Sequence, residues 1–183
     1  MTDSFPKLSL VIGGARSGKS RAAEGLVRSS GLPKTYIATA EAWDDEMRSR
    51  IAAHRHDRGG DWHSIEAPRD LPAALALATQ STLKGAILID CATLWLTNVI
   101  LAEGNVAEET AALLAALMTS PYPVVVVTNE VGWSIVPENA LARRFRDDQG
   151  RVNQALAAQA DLVLAVVAGL PLVLKGQLPK ATS

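Results

Sequence analysis

Residues 8–20 read LSLVIGGARSGKS, and this segment decides the fold of the chain. A short apolar run, typical of a buried strand, comes directly before the pattern Gly13-x4-Gly18-Lys19-Ser20, which is a phosphate-binding loop that opens a helix. The glycines let successive backbone amides turn inward around a phosphate, and the positive end of the helix favours the same charge. A glycine turn that only joins a strand to a helix is the alternative, but such a turn requires neither the Lys nor the Ser. The segment therefore predicts a nucleotide-binding site.

Two residues at the end of this loop are expected to carry chemistry. Lys19 would bridge the terminal phosphates, and the Ser20 hydroxyl would hold a Mg²⁺ ion that bridges them too. We expect the whole loop to contact the nucleotide, through Gly13, Gly14, Ala15, Arg16, Ser17, Gly18, Lys19 and Ser20.

The composition restricts domain organisation and partners. With 183 residues, 48% of them hydrophobic, the chain can bury the core of one domain over residues 1–183, and we expect residues 1–6 and 177–183 to be mobile. The 18 basic residues are balanced by 19 acidic ones and aromatic residues make up 4%, which argues against a nucleic-acid partner.

No apolar run reaches the length of a bilayer, and MTDSFPK at the start lacks the order of a secretion signal. The single cysteine, Cys91, cannot form an intrachain disulfide and is expected to fill the core. We therefore expect a cytoplasmic protein without a membrane span.

Short apolar runs alternate with helical stretches along the chain. This alternation predicts an α/β fold of the P-loop nucleotide-binding type, with a mainly parallel sheet flanked by helices. The last two runs are separated only by Ala168-Gly169 and predict a C-terminal hairpin at a sheet edge. Strands are expected at 8–12, 35–39, 86–90, 124–128, 162–167 and 170–175, and helices at 19–29, 43–56, 70–82, 92–103, 106–119 and 138–159.

The strand AILID at 86–90 supplies a second part of the nucleotide site. Nucleotide enzymes of this type place an acid at the end of such a strand to orient the magnesium shell, often through water. Asp90 fits this role. Its alternative role is to cap the next helix.

The segment 44–68 is rich in histidine and arginine. On a helix over 43–56 and its extension, Arg50, His54 and Arg58 follow each other at intervals of four residues and share one face. Guanidinium groups beside an imidazole favour its neutral, nucleophilic form and can bind a phosphate, so this face is a candidate phosphate-attacking site. An exposed basic helix without a function is the alternative. His56 would point off this face, His63 is expected in a loop, and the spacing of the three histidines matches no common zinc site.

Six ordered motifs resemble the bifunctional adenosylcobinamide kinase and adenosylcobinamide-phosphate guanylyltransferase family. The resemblance extends over nearly the whole chain. The motifs are GGARSGKS at 13–20, YIATAEAWDDEM at 36–47, RIAAHRHDRGGDWHSIEAP at 50–68, LIDCATLWLTN at 88–98, TNEVGWSIVPEN at 128–139 and LARRFRDDQGRVNQALAAQAD at 141–161.

This resemblance implies two reactions of cobalamin biosynthesis. A nucleoside triphosphate, with ATP and GTP as the candidates, phosphorylates adenosylcobinamide, and GMP is then transferred from GTP to that phosphate through a guanylylated histidine. The position in the motif implies His54 as this histidine. The family resemblance also implies a homotrimer, and Mg²⁺ is the cofactor expected from Ser20 and Asp90. Further nucleotide contacts are implied for Ala38, Thr39, Ala40, Arg55, His56, Asp57, Arg58, Glu66 and Asp90.

The chain departs from the family pattern at two positions. Ala53 stands where some relatives carry a second histidine, and Ser134 stands where relatives often have glycine. Asn129 and Glu130 follow a strand and are candidates to shape the corrinoid site. The arginines of the next helix have either a phosphate role or a place on a solvated face or subunit contact: Arg143, Arg144, Arg146 and Arg151.

Two other functions compete with this interpretation. A small-molecule kinase of the same fold would need Lys19 and Asp90 but not His54. A guanine-nucleotide switch usually has an Asn-Lys-x-Asp element after a strand, and the comparable stretch here is TNEV at 128–131.

Overall fold

The computed structural model describes residues 5–42, 45, 48–49, 59–80 and 84–179. Within these ranges, seven strands form one sheet in the order β3-β2-β4-β5-β1-β6-β7. The strands are β1 (Leu8–Gly13), β2 (Lys34–Ala38), β3 (Trp62–Glu66), β4 (Ala86–Asp90), β5 (Val124–Asn129), β6 (Leu162–Val167) and β7 (Leu170–Lys175). The helices are α1 (Lys19–Ser29), α2 (Leu71–Gln80), α3 (Ala92–Leu101), α4 (Val106–Thr119) and α5 (Ala140–Gln159).

All neighbouring strands from β3 to β6 pair in parallel, and only β7 pairs antiparallel, with β6. The carboxyl ends of six strands therefore meet at one edge of the sheet. This arrangement confirms the predicted α/β fold and the C-terminal edge hairpin.

Helices cover both faces of the sheet, and side-chain alternation assigns each strand residue to one of them. Val11, Leu88, Val125 and Val127 belong to a buried cluster with α1, and we call this side the α1 face. The other residues of these strands pack against α2, α3, α4 and α5, around the fully buried Trp95. Because both faces are covered, the central strands are almost continuously apolar.

The edge strand β7 is different, because all six of its residues are exposed. Leu170, Leu172 and Leu174 are exposed by 73%, 61% and 59%. A strand edge and a set of large apolar side chains thus lie together at the surface, a combination that usually marks an interface.

Strand β3 was not predicted from the sequence. Its residues WHSIE are mostly polar, because an edge strand has only one neighbour and its outer positions meet water. Trp62 fixes β3 to the sheet by packing edge-on against Tyr36, with ring centroids 6.1 Å apart. The cationic groups of Arg28 and Lys34 lie over the Trp62 ring. The expectation that His63 lies in a loop is therefore wrong, since His63 is an exposed residue of β3.

Most helix predictions hold, with shifted ends. α5 begins at Ala140 rather than at 138 because Asn139 is its N-cap and accepts hydrogen bonds from Leu141 N and Ala142 N. α3 ends at Leu101 rather than at 103, since Glu103 has a left-handed backbone with φ of 56°. α2 begins at Leu71, and residues 81–82 of its predicted range lie outside the described residues. Of the predicted helix over 43–56, the described residues 45, 48 and 49 are helical.

Candidate active site

Of the predicted nucleotide residues that the structure describes, those on strands lie at the carboxyl edge of the sheet, on the α1 face. Asp90 at the end of β4 lies opposite Ala38 of β2, and Ala38 lies opposite Glu66 of β3. Glu66 is exposed and is the last residue of β3, so it reaches the same edge. Gly13 at the end of β1 lies opposite Asn129 of β5. The first residue of α1 is Lys19, which places the phosphate-binding loop above this row.

The phosphate-binding loop has the backbone that the motif requires. Gly18 has a φ of 91° and Arg16 a φ of 56°, both in the left-handed region. Lys19 Nζ lies 3.3 Å from Gly14 O, so the ammonium group is folded back over the loop. A β-carbon at Gly13 would lie 2.5 Å from Ser17 Oγ and 2.6 Å from Val166 O, which no real side chain tolerates. Gly13 is therefore required by the packing of the loop itself.

The turn of the edge hairpin packs directly on this loop. Gly169 N donates to Ser17 O at 2.8 Å. A β-carbon at Gly18 would meet Gly169 Cα at 3.2 Å. The β6–β7 hairpin thus supports the phosphate-binding loop from one side, a contact that the sequence motif alone did not indicate.

Asp90 is held by residues of β2 and the segment after it. Its Oδ2 accepts from the Tyr36 hydroxyl at 3.2 Å, and its carbonyl accepts from Thr39 N at 3.2 Å. The buried Thr39 hydroxyl accepts from Cys91 N at 2.7 Å and donates to Cys91 O at 2.8 Å. These bonds fix the end of β4 against Ala38 and Thr39, two of the residues for which nucleotide contacts were predicted.

Cys91 is buried, as predicted. Burial, followed by the negative charge of Asp90, raises the pKa of its thiol to about 11. A thiol with this pKa is protonated at neutral pH, which does not suit a nucleophile.

Six residues with predicted roles at the site lie outside the described residues: Arg50, His54, Arg55, His56, Asp57 and Arg58. Ala53 lies outside them as well.

The arginines of α5 make local contacts. Arg143 donates to Pro137 O and Glu138 O, which ties the end of the loop after β5 to the helix. The others pair with carboxylates of their own helix, as expected for a solvated face: Arg144 and Arg151 with Asp148, and Arg146 with Asp147.

The family described as cobinamide kinase / cobinamide phosphate guanyltransferase matches residues 9–174. The chain belongs to this family. It is 45% identical over 170 residues to the bifunctional adenosylcobalamin biosynthesis protein CobP of Pseudomonas aeruginosa, covering 92% of this chain and 97% of that protein. It is 44% identical over 184 residues to the bifunctional adenosylcobalamin biosynthesis protein CobU of Salmonella typhimurium, covering 91% of this chain and 98% of that protein.

The chain is thus a bifunctional cobinamide kinase and cobinamide-phosphate guanylyltransferase of cobalamin biosynthesis, and the resemblance noted in the sequence is confirmed. Among solved structures, the flagellar accessory protein FlaH from Methanocaldococcus jannaschii is similar with a TM-score of 0.50 and 14% identity, covering 96% of this chain and 80% of that one. This similarity concerns the fold alone.

The described part of the chain contains no group of three or more His, Cys, Asp or Glu side chains that could hold a metal ion. The predicted ligands are instead one hydroxyl, that of Ser20 in the first turn of α1, and one carboxylate, that of Asp90 at the end of β4. This set fits Mg²⁺, which is usually held by one or two protein oxygens together with substrate phosphates and water. No helix in the described ranges is long and apolar enough to cross a membrane.

Proposed function

We propose that both reactions of this family use the phosphate-binding loop at the carboxyl edge of the sheet. The observation that carries the proposal is the position of Lys19 and Asp90 on the same face of the sheet, on either side of the end of β5. In the kinase reaction, a hydroxyl oxygen of adenosylcobinamide forms a bond to the γ-phosphorus while the bond to the β,γ-bridging oxygen breaks. Lys19 stabilises the charge on the phosphoryl oxygens, and the fixed loop amides orient them.

Ser20 and Asp90 would hold Mg²⁺, Asp90 through water where the distance requires it. When bound, the ion neutralises charge on the nucleotide phosphates. ATP and GTP are the candidate phosphoryl donors, since the loop binds phosphates and leaves the base unspecified.

In the second reaction, GTP is the donor and His54 is the proposed nucleophile. An imidazole nitrogen of His54 forms a bond to the α-phosphorus, and pyrophosphate leaves with the electrons of the broken α,β bond. An oxygen of adenosylcobinamide phosphate then attacks the same phosphorus and releases the histidine. Arg55, His56, Asp57, Arg58 and Glu66 are proposed to contact the guanine nucleotide, as the family motif implies.

Covalent labelling tests this proposal. The protein is incubated with GTP labelled at the α-phosphate, and the label on the protein is tested for stability. We expect label that is lost in acid and kept in base, as for a phosphoramidate of histidine. His54→Ala should carry no label and should still phosphorylate adenosylcobinamide, whereas His63→Ala, a change in the exposed part of β3, should be labelled normally.

Three outcomes would contradict parts of the proposal. Normal labelling of His54→Ala would remove His54 as the nucleophile, and loss of label in His56→Ala alone would move the role to His56. An active kinase without any label would favour a single-activity kinase.

We also propose that the protein assembles as a homotrimer in the cytoplasm. The exposed apolar side chains of β7 support an interface between subunits, since such a surface is costly in water.

A further inference from the structure

The strand β5 lies between β1, which carries the phosphate-binding loop, and β4, which carries Asp90. The last residue of β5, Asn129, is paired with Gly13 of β1. On the other side of β5, Val127 is paired with Asp90 of β4, so Asn129 lies two residues beyond that pair. Val125 and Val127 belong to the α1 face. Because side chains alternate along a strand, the Asn129 side chain lies on that face too, between Gly13 and the end of β4.

The Asn129 side chain has an unused hydrogen-bonding group. Its Oδ1 is shielded from solvent and has no hydrogen-bond partner among the described residues. A buried amide oxygen without a partner is destabilising, so such an atom in a native protein calls for an explanation, and a bound ligand is one of them. Here the unpaired atom lies beside the loop that binds phosphate.

The backbone of Asn129 is held from two helices. Thr93 Oγ1, at the start of α3, accepts from Asn129 N at 2.7 Å, and Asn153 Nδ2 of α5 donates to Asn129 O at 3.0 Å. Asn153 Oδ1 in turn accepts from Gln149 Nε2 at 2.9 Å and from the Thr128 hydroxyl at 2.7 Å. Gln149 and Thr128 are both completely buried.

This network buries several polar side chains, and removing such groups from water destabilises the fold unless they are all well paired. Its effect is to fix the position of one residue. The next amide, Glu130 N, donates to Gly13 O at 3.1 Å, so the fixed strand end is also bonded to the phosphate-binding loop.

We propose that Asn129 is a catalytic residue of the kinase reaction, and that its side-chain amide contacts the phosphoryl group in transfer and the hydroxyl that receives it. Oδ1 accepts a hydrogen bond from the acceptor hydroxyl, and Nδ2 donates to an oxygen of the γ-phosphoryl group. Thr93, Thr128, Gln149 and Asn153 are positioning residues that act through Asn129. This proposal rests on the proposed use of the phosphate-binding loop for the kinase reaction.

The role is one of orientation and charge stabilisation. The bond between the acceptor oxygen and the γ-phosphorus forms, the bond to the β,γ-bridging oxygen breaks, and the nucleoside diphosphate leaves with those electrons. An amide is not basic enough to take the hydroxyl proton, which passes to a phosphate oxygen or to water. A single preorganised donor at a reaction centre typically contributes 10²–10³ in rate.

Two variants of Asn129 and one matched control test the proposal. Asn129→Ala removes the amide, and Asn129→Asp keeps its size but replaces the donor with a negative charge that repels phosphate. Asn105→Ala is the control. Asn105 also acts through its side chain, which caps the start of α4, but it lies near the end of α3 that is opposite to Thr93. The rates of adenosylcobinamide phosphorylation and of GMP transfer to separately prepared adenosylcobinamide phosphate are measured for each.

We expect Asn129→Ala to lower the kinase kcat by about 10²-fold or more, with the KM for the nucleotide changed by less than about threefold. Asn129→Asp should lose at least as much. GMP transfer, which takes place at a different phosphorus, should fall by less than about tenfold in Asn129→Ala, and Asn105→Ala should keep both rates.

Kinase activity within about threefold of the wild type in either Asn129 variant would overturn the proposal. Equal losses of the two reactions in Asn129→Ala would also overturn it, since they would show a general effect on the loop. If Asn129→Ala does not fold, the isosteric Asn129→Asp decides. A wild-type protein without kinase activity would instead refute the proposed function on which this inference rests.

Discussion

At the level of single residues, Asp90 is the carboxylate proposed to orient Mg²⁺. Asp90→Asn keeps the size and an acceptor for the Tyr36 hydroxyl but removes the charge. We therefore expect an intact fold and a rate that needs a higher magnesium concentration to reach half its maximum. Magnesium titrations of the kinase rate for both proteins, with circular dichroism as a check of folding, measure this effect. Superimposable curves would remove Asp90 from the metal site.

The roles of residues at the site could be predicted only in part. The loop at 13–20 and Asp90 follow from local patterns, because the chemistry needs these residue types at these points of a strand and a helix. Thr39 was named only through the family resemblance, and Thr93 and Asn153 gave no signal at all, since the contacts of all three join parts of the chain that are far apart in sequence. The spacing of Gln149 and Asn153, four residues apart on an otherwise amphipathic helix, was the one available sign of a buried polar face.

At the level of secondary-structure elements, the packing between β1, the phosphate-binding loop and the β6–β7 hairpin predicts a difference between two adjacent glycines. Gly13→Ala would bring a β-carbon against Ser17 Oγ and Val166 O, whereas a β-carbon at Gly14 meets nothing within 4 Å. We expect Gly13→Ala to lower the free energy of unfolding by about 1–3 kcal/mol, the usual cost of overpacking. Gly14→Ala is the matched control and should change it by less than about 0.5 kcal/mol.

Denaturant unfolding without nucleotide measures this difference, so that contacts to phosphate do not contribute. Equal stabilities of the two variants would show that the loop is not packed against β6 as described.

Burial of the strand faces explains which strands could be predicted from the sequence. β1, β4 and β5 were predicted because both of their faces are buried, which produces apolar runs. β3 was missed because its outer edge is solvated, so that Trp62 is its one fully buried residue and Ile65 is only partly buried against the core. The end of α5 near the site was misplaced by two residues, since the capping role of Asn139 depends on its backbone conformation.

At the level of the whole molecule, the exposed apolar surface of β7 predicts self-association. Leu172→Asp combined with Leu174→Asp should place two charges in the proposed subunit interface and lower the mass in solution towards that of a monomer. Leu77→Asp on α2, a leucine exposed by 58%, is the matched control. Light scattering on a sizing column measures the mass. A trimer that survives both β7 changes would place the interface elsewhere, and a wild-type monomer would refute the assembly.

The central claim is that one phosphate-binding loop serves both the kinase and the guanylyltransferase reactions. Lys19→Ala tests it most directly, with adenosylcobinamide phosphorylation and GMP transfer to adenosylcobinamide phosphate measured separately in one preparation. Because the ammonium group stabilises charge on the nucleotide phosphates in both reactions, we expect each rate to fall by about 10²-fold or more. A near-normal rate in either reaction would show that this loop does not serve it, and would contradict a shared site.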